Sequence, residues 1–340
     1  MRYFIFSIIS IILLLVSIPC RADSSWGLPT WSLPQIPLAS YHDKNASDDA
    51  WLIRSQNRSY GKYAKSLRGY GLWGSLYGYD GRLRPKNSVF DKISHSDLGM
   101  QIGIDIPCDG IFGMSFYYSL ATPTLSIQRS PNPFLIDGKL ETTNHLFGLR
   151  WSSYRDGLYL LFGMNGGFDD HDFATTGSGI FSGSGWQMGT NGEVGLDVEL
   201  GKWRLRPHLG LDYRWLNHGA IENNQSALFR GETHNALYSN FGTRLYRPIN
   251  PLLDWQTRLS WLHNYLKDDP IYGQRFNSIP GLATPTMLFL NGSPGRDWIW
   301  LGTGLKLHFG KLFSCYLDYD LTFNKYEATH AGSFMAILAW

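Results

Sequence analysis

The chain has 340 residues, enough for one large domain or two ordinary ones, and its formal net charge of +2 gives no electrostatic reason to expect nucleic acid. Aromatic residues reach 15%, with 37 glycines, while charged residues make up only 17%. This balance argues against a helical membrane bundle, whose spans read as unbroken apolar runs, and suits strands that give half their side chains to a polar interior.

Met1 to Ala22 reads as a secretory signal. Arg2 precedes an apolar run from Tyr3 to Ile18, and Pro19-Cys20-Arg21-Ala22 supplies the cleavage region, with the cut expected after Ala22. A lipoprotein would need a small residue before Cys20, where Pro19 stands. An uncleaved anchor would need roughly 20 apolar residues, more than this run provides. With Cys20 removed, Cys108 and Cys315 remain. An oxidising compartment permits a disulfide, but the two fall on strands that are not neighbours, so isolated thiols are expected. No CxxC or Cys/His spacing points to a metal, and no cofactor is expected.

Asp23 to Ala39 is rich in Pro and Trp, without periodicity, and reads as an extended leader. Asp48–Leu67 is the one helix the sequence predicts. It opens on acidic residues and closes on Lys62, Lys65 and Arg68, as the helix dipole prefers. Too weakly apolar to anchor in lipid, it suits a polar lumen or a solvated tether. The division is therefore a signal over 1–22, a leader and lumen helix over 23–67, and a barrel over 68–340.

Beyond Arg68 side chains alternate with period two, the mark of a half-buried strand. Leu72–Tyr79 puts Trp73, Ser75, Tyr77 and Tyr79 on one face. Asp97–Ile106 sets Leu98, Met100, Ile102, Ile104 and Ile106 against Asp97, Gly99, Gln101, Gly103 and Asp105, and Phe112–Leu120 follows a Pro107–Gly110 turn. His145–Ser152 turns at Tyr154-Arg155-Asp156-Gly157 into Leu158–Phe168; Asp-Gly is hairpin chemistry because Gly supplies the positive φ. Trp186–Leu200 sends Met188, Val194, Leu196, Val198 and Leu200 outward and Gln187, Asn191, Glu193, Asp197 and Glu199 inward. Trp203–Trp215 sends Leu205, Leu209 and Leu211 outward and Arg204, Arg206, His208, Asp212 and Arg214 inward, with Pro207 forfeiting one ladder bond. His234–Tyr246 and Leu253–Tyr265 form the next pair.

The last stretch is the clearest. In Asp297–Phe309 the odd positions from Ile299 are apolar or Thr, the even ones carry Gly302, Gly304, Lys306 and His308, and after Gly310-Lys311 the alternation resumes to Phe323. Phe334, Ala336, Leu338 and Trp340 end the chain on an aromatic residue. The count comes to twelve strands. Strands of about ten residues with one apolar face fit a bilayer, where they must close into a barrel because no backbone group stays unpaired there. The fold class is therefore all-β, a twelve-stranded antiparallel transmembrane barrel. Junctions also alternate, short at one rim and long at the other (Ala121–Asn144, Asp169–Gly185, Lys267–Arg296), as in barrels with periplasmic turns and external loops.

Candidate chemistry is sparse. Inward Arg204, Arg206, Arg214, Arg244 and Arg258 face Glu193, Asp197, Asp212, Asp318 and Asp320. These residues either define a selective pore or cross-pair between strands and hold the lumen helix; the second reading is favoured. Asp169-Asp170-His171-Asp172 is a metal or acid-base candidate at the start of an outer loop, outweighed by a solvated acidic loop. No GxSxG, HExxH or phosphate loop is present.

From about Gly69 to Trp340 the sequence resembles the translocator domain of autotransporter proteins. The resemblance rests on LWGSLYGYDG, LGMQIGIDIP, RLRPHLGLDYRWLNHG, THNALYSNFGTRL and the closing WLGTGLKLHFGKLFSCYLDYDLTFNKYEATHAGSFMAILAW. It implies a twelve-stranded outer-membrane barrel with a helix in the pore, where Asp48–Leu67 stands, and a C-terminal assembly signal carried here by Phe334, Leu338 and Trp340. It implies outer-membrane lipid, lipopolysaccharide and the barrel-assembly machinery as partners, and a monomer without enzymatic activity. Two features depart from the family: only about Asp23–Ser47 is available as a passenger, and Gly332 lies too far upstream for the usual spacing to the terminal aromatic. A porin-like passive channel is the competing reading, with a barrel hydrolase behind it.

Overall fold

The computed structural model describes residues 70–83, 92–108, 112–128, 138–175, 179–219, 221–223, 226–229, 232–265, 271–275, 287–291, 296–310 and 312–339. The expected signal, leader and lumen helix lie outside these residues, as does Trp340. Twelve long strands carry the fold: β1 (Gly71–Leu83), β2 (Lys92–Cys108), β3 (Phe112–Ala121), β4 (Gly138–Arg155), β5 (Leu158–Thr175), β6 (Gly179–Leu196), β7 (Trp203–His218), β8 (Glu232–Asn250), β9 (Leu253–Asn264), β10 (Asp297–Phe309), β11 (Phe313–Phe323) and β12 (Glu327–Ala339).

Each strand pairs antiparallel with the next, and β12 returns to β1 in a ladder running from Gly71↔Ala339 to Leu83↔Glu327. The ring is closed. Closure removes the two free edges an open sheet would leave, and it pairs the backbone groups that hydrocarbon cannot solvate. Among the described residues no helix is long and apolar enough to cross a membrane.

The alternation sorts side chains into two environments. On β2, Leu98 and Ile102 are 68% and 51% exposed, whereas their neighbours Asp97 and Gln101 are 7% and 3% exposed. The same division holds around the ring: Phe147, Leu209, Leu259 and Leu317 lie on the outer face, and Arg150, His208, Arg258 and Asp318 are buried on the inner one. Exposed apolar surface of this extent is tolerable only against lipid.

Aromatic pairs mark both rims of that face. Near the short turns Trp203 meets Trp255 with ring centroids 5.9 Å apart, Phe112 stacks on Trp151 at 5.5 Å, and Arg247 lies over Trp203. Toward the long connections Trp186 meets Trp215, and Trp261, His263 and Tyr265 form a chain of rings. Trp255 and His263 share β9. Their spacing along a strand rising about 3.4 Å per residue and tilted about 40° gives roughly 20 Å between the belts, close to the apolar band of such barrels.

Inside the ring, large rings lie on glycines of the next strand. Trp73, Tyr77, Tyr117 and Tyr159 pair directly with Gly103, Gly99, Gly148 and Gly195. A Cβ on any of these four would come within 2.4 Å of the ring it faces. The glycines are needed for close approach, which tiles the inner wall with aromatic surface.

The strands of one rim are longer than the sequence pattern predicts. β4 begins at Gly138, β5 runs to Thr175, β6 starts at Gly179, and Thr124–Gln128 forms a short strand between β2 and β4. The Asp169–Asp172 cluster therefore lies in a strand, not a loop. Its outward residues Asp170 and Asp172 are polar, so the cue of apolar alternation fades, while the inward Phe173, Leu140 and Leu125 are buried and keep the sheet together. Pro207 sits in mid-strand, paired with Thr243 of β8 on one side, while on the other side the ladder with β6 stops at Gly195 and resumes only at Val198–Leu200, past Asp197. That interruption accommodates the missing N–H. Cys315 is a free, buried thiol.

Candidate functional site

The densest constellation on the inner wall spans β6 to β11. Arg206, Arg244 and Arg258 are direct cross-strand partners in one row, which continues through Gly302 to Asp320. Three adjacent like charges would be destabilising alone. Each is met by its own carboxylate. Arg206 Nη2 donates to Asp197 Oδ2 at 2.7 Å, Arg244 donates through both terminal nitrogens to Glu193 at 2.7 and 2.9 Å, and Arg258 donates through Nε and Nη2 to Asp320 at 2.6 and 2.5 Å.

Neutral groups extend the network. Tyr159 Oη donates to Glu193 at 2.8 Å and accepts from Arg244 at 3.2 Å. Gln256 donates to Asp318 at 2.6 Å, and Trp300 Nε1 donates to Asp320 at 2.9 Å. The Arg206 guanidinium lies over Tyr246, that of Arg258 over Trp300, and that of Arg150 over Tyr117. Stacking shields a guanidinium at little desolvation cost because its faces are weakly hydrated.

Several of these links skip strands: Arg244 on β8 reaches Glu193 on β6 across β7, and two more run across glycines of β10. Arg258 on β9 reaches Asp320 on β11 across Gly302 of β10, and Gln256 reaches Asp318 across Gly304. A Cβ on Gly302 would stand 2.1 Å from Arg258 Nε, and one on Gly304 would stand 2.0 Å from Asp318 Oδ1. Another bridge crosses the closing seam, where His95 on β2 bonds Thr329 on β12 at 3.0 Å over Gly81 of β1. The glycines form troughs, and the bonds laid through them tie strands two apart.

The remaining predicted positions fall as follows. Arg214 pairs along its own strand with Asp212 at 2.6 Å, and Arg204 lies at the short-turn rim, 3.3 Å from Glu199 and 4.0 Å from Asp197. Phe334 and Leu338 point outward, whereas Met335 and Ile337 between them are buried inside. Within the Asp169–Asp172 cluster, Asp169 and His171 turn inward and Asp170 and Asp172 outward. Gln187 donates to Asp169 at 2.9 Å, and Thr142 bonds His171 at 3.0 Å. Splitting the four between faces removes the shared metal or acid-base site that their adjacency suggested, and no His/Cys/Asp/Glu cluster among the described residues could hold a metal.

Tyr159, Gln256 and Trp300 are network members that charge-based reading passed over. The signal available for them was their inward parity, joined for Tyr159 and Gln256 by a glycine directly opposite on the neighbouring strand.

Residues 72–320 match the model of the Autotransporter beta-domain family. The chain belongs to that family. Among solved structures, the translocator domain of the autotransporter NalP from Neisseria meningitidis superposes with a TM-score of 0.68 at 12% identity, covering 90% of this chain and 98% of that one. The transport unit of the autotransporter AIDA-I from Escherichia coli gives a TM-score of 0.59 at 13% identity, with 86% and 98% covered. The beta domain of the Bordetella autotransporter BrkA gives 0.58 at 15% identity, with 80% and 100% covered. No curated protein matches in sequence. As an autotransporter β-domain the chain is an outer-membrane translocator barrel, a transport domain by family, and the paired charges line the inside of that barrel.

Proposed function

We propose that the inner-wall network braces the translocator barrel and seats the segment 23–67 in its lumen, with the short turns in the periplasm and the long connections outside the cell. The observation that carries this reading is the pairing itself: Arg206, Arg244 and Arg258 each hold a carboxylate of the wall. A row so paired presents fixed, mutually cancelled charge, which stiffens a wall and grips a polar helix better than it selects a free ion.

On the same reading, residues 1–22 direct export and are removed, and Phe334, Leu338 and Trp340 present the assembly signal to the barrel-assembly machinery. The barrel is monomeric, is surrounded by outer-membrane lipid and lipopolysaccharide, and performs no catalysis.

The test is electrical. Deleting Asp23–Leu67 and recording single channels in planar bilayers should raise conductance several-fold over the full chain. Equal conductance in both forms would replace this reading with a porin-like open channel.

A further inference from the structure

The outer wall is not uniformly convex. Between β1 and β5 it carries a hollow of about 680 Å³, lined by Leu72, Ile102, Ile104, Phe116, Phe147 and Met164 among others. All six point outward and are between 39% and 55% exposed. The outward Gly166 of β5, between Phe147 of β4 and Met188 of β6, helps make the space, since no side chain fills its place.

At the end of the hollow nearer the long connections stands a ring cluster. Tyr118 Oη bonds His145 Nδ1 at 2.8 Å, His145 stacks on Phe168 at 4.9 Å, and Phe147 packs on Tyr118 at 5.2 Å. Beyond it the outward face of β4 and β5 carries Glu141 paired in register with Asp172, and Thr143 with Asp170. Among the described residues of this face the cation is Lys139, held by Glu141 at 2.5 Å.

We infer that this hollow is the seat of one saccharide-headed lipid of the outer leaflet, with an acyl chain in the hollow and a sugar against the His145 ring cluster. The inference rests on the membrane placement proposed above. A hollow at hydrocarbon depth holds hydrocarbon, because neither water nor a vacuum is stable against so apolar a wall. The polar end of the chain then meets flat rings and exposed carboxylates. A phosphate headgroup would face the like charges of Asp170 and Asp172, whereas sugar hydroxyls donate to carboxylates and lay their apolar faces on rings.

The full chain, extracted from outer membranes in mild detergent, tests this by native mass spectrometry. The wild-type barrel should retain one saccharide-headed lipid. Gly166→Leu fills the hollow, and since a Cβ there meets nothing closer than 3.6 Å, the variant should fold and lose the adduct at least tenfold. His145→Ala should reduce retention several-fold. Equal retention in Gly166→Leu, a diacyl phospholipid as the retained species, or a second barrel in its place would each overturn the inference. If the wild-type chain fails to fractionate with outer membranes or to show heat-modifiable migration, the membrane placement itself falls, a result distinguishable from loss of the lipid alone.

Discussion

Glu193 shows how much a single residue carries. Its carboxylate takes two bonds from Arg244 and one from Tyr159. Breaking a buried pair from one side costs about 3 to 5 kcal/mol because the other charge is left uncompensated. Glu193→Ala should therefore lower the urea midpoint of the barrel by a stability loss of that order. Adding Arg244→Met should restore part of the loss, since the stranded cation goes with it. A double variant no more stable than Glu193→Ala alone would show that Arg244 is not held by this carboxylate. Gly302 makes the complementary case. Gly302→Ala places a methyl on the Arg258–Asp320 bridge and should cost about 2 to 4 kcal/mol. Gly192→Ala, whose Cβ would have 3.8 Å of clearance, should stay within about 0.5 kcal/mol of wild type. Comparable unfolding midpoints for the two glycine variants would refute the trough.

At the scale of a strand, outward parity on β2 makes a depth-dependent prediction. On the lipid face of a barrel, arginine costs about 2 to 4 kcal/mol at the midplane and about 0 to 1 near the interfaces. Ile102→Arg, in mid-strand, should be destabilised by the larger amount in urea titrations in lipid. Leu98→Arg, toward the long-connection rim and 68% exposed, should be nearly neutral. Equal costs would mean that this face does not cross lipid. Such parity was legible from the sequence wherever apolar and polar residues alternate, as in Leu98–Ile106 and Ile299–Phe309. It faded above the membrane, where Asp170 and Asp172 replace apolar outward residues and leave only the inward Phe173 as a cue. The bridging partners were not legible at all. That Arg258 meets Asp320 depends on a register fixed by two ladders and on the empty place at Gly302, and neither is encoded within a single strand's pattern.

The molecule as a whole depends on the meeting of its first and last strands. Residues of β1 and β12 are far apart in the sequence, so their ladder is the most expensive in loop entropy and the last that local pattern could specify. Yet the ring needs it, because an open β1 or β12 edge would leave backbone donors and acceptors unpaired in hydrocarbon. Two features favour this closure over an open edge: thirteen residues of β1 find partners on β12, and His95 and Thr329 clasp across Gly81 on the inner side. On the outer side Leu76 faces Phe334 directly. Cross-strand partners hold their Cβ atoms about 4.5 to 5.5 Å apart, near enough for a disulfide after small adjustment. In a background with the native cysteines replaced by serine, Leu76→Cys with Phe334→Cys should cross-link almost completely under mild oxidant in membranes. Leu76→Cys with Leu209→Cys, the latter on β7 across the ring, should not link. The linked barrel should keep its heat-modifiable migration, since the bond locks a contact already made. Failure of the seam pair to link, with the barrel otherwise folded, would mean that the ring does not close in this register, and the placement of β1 beside β12 would have to be abandoned.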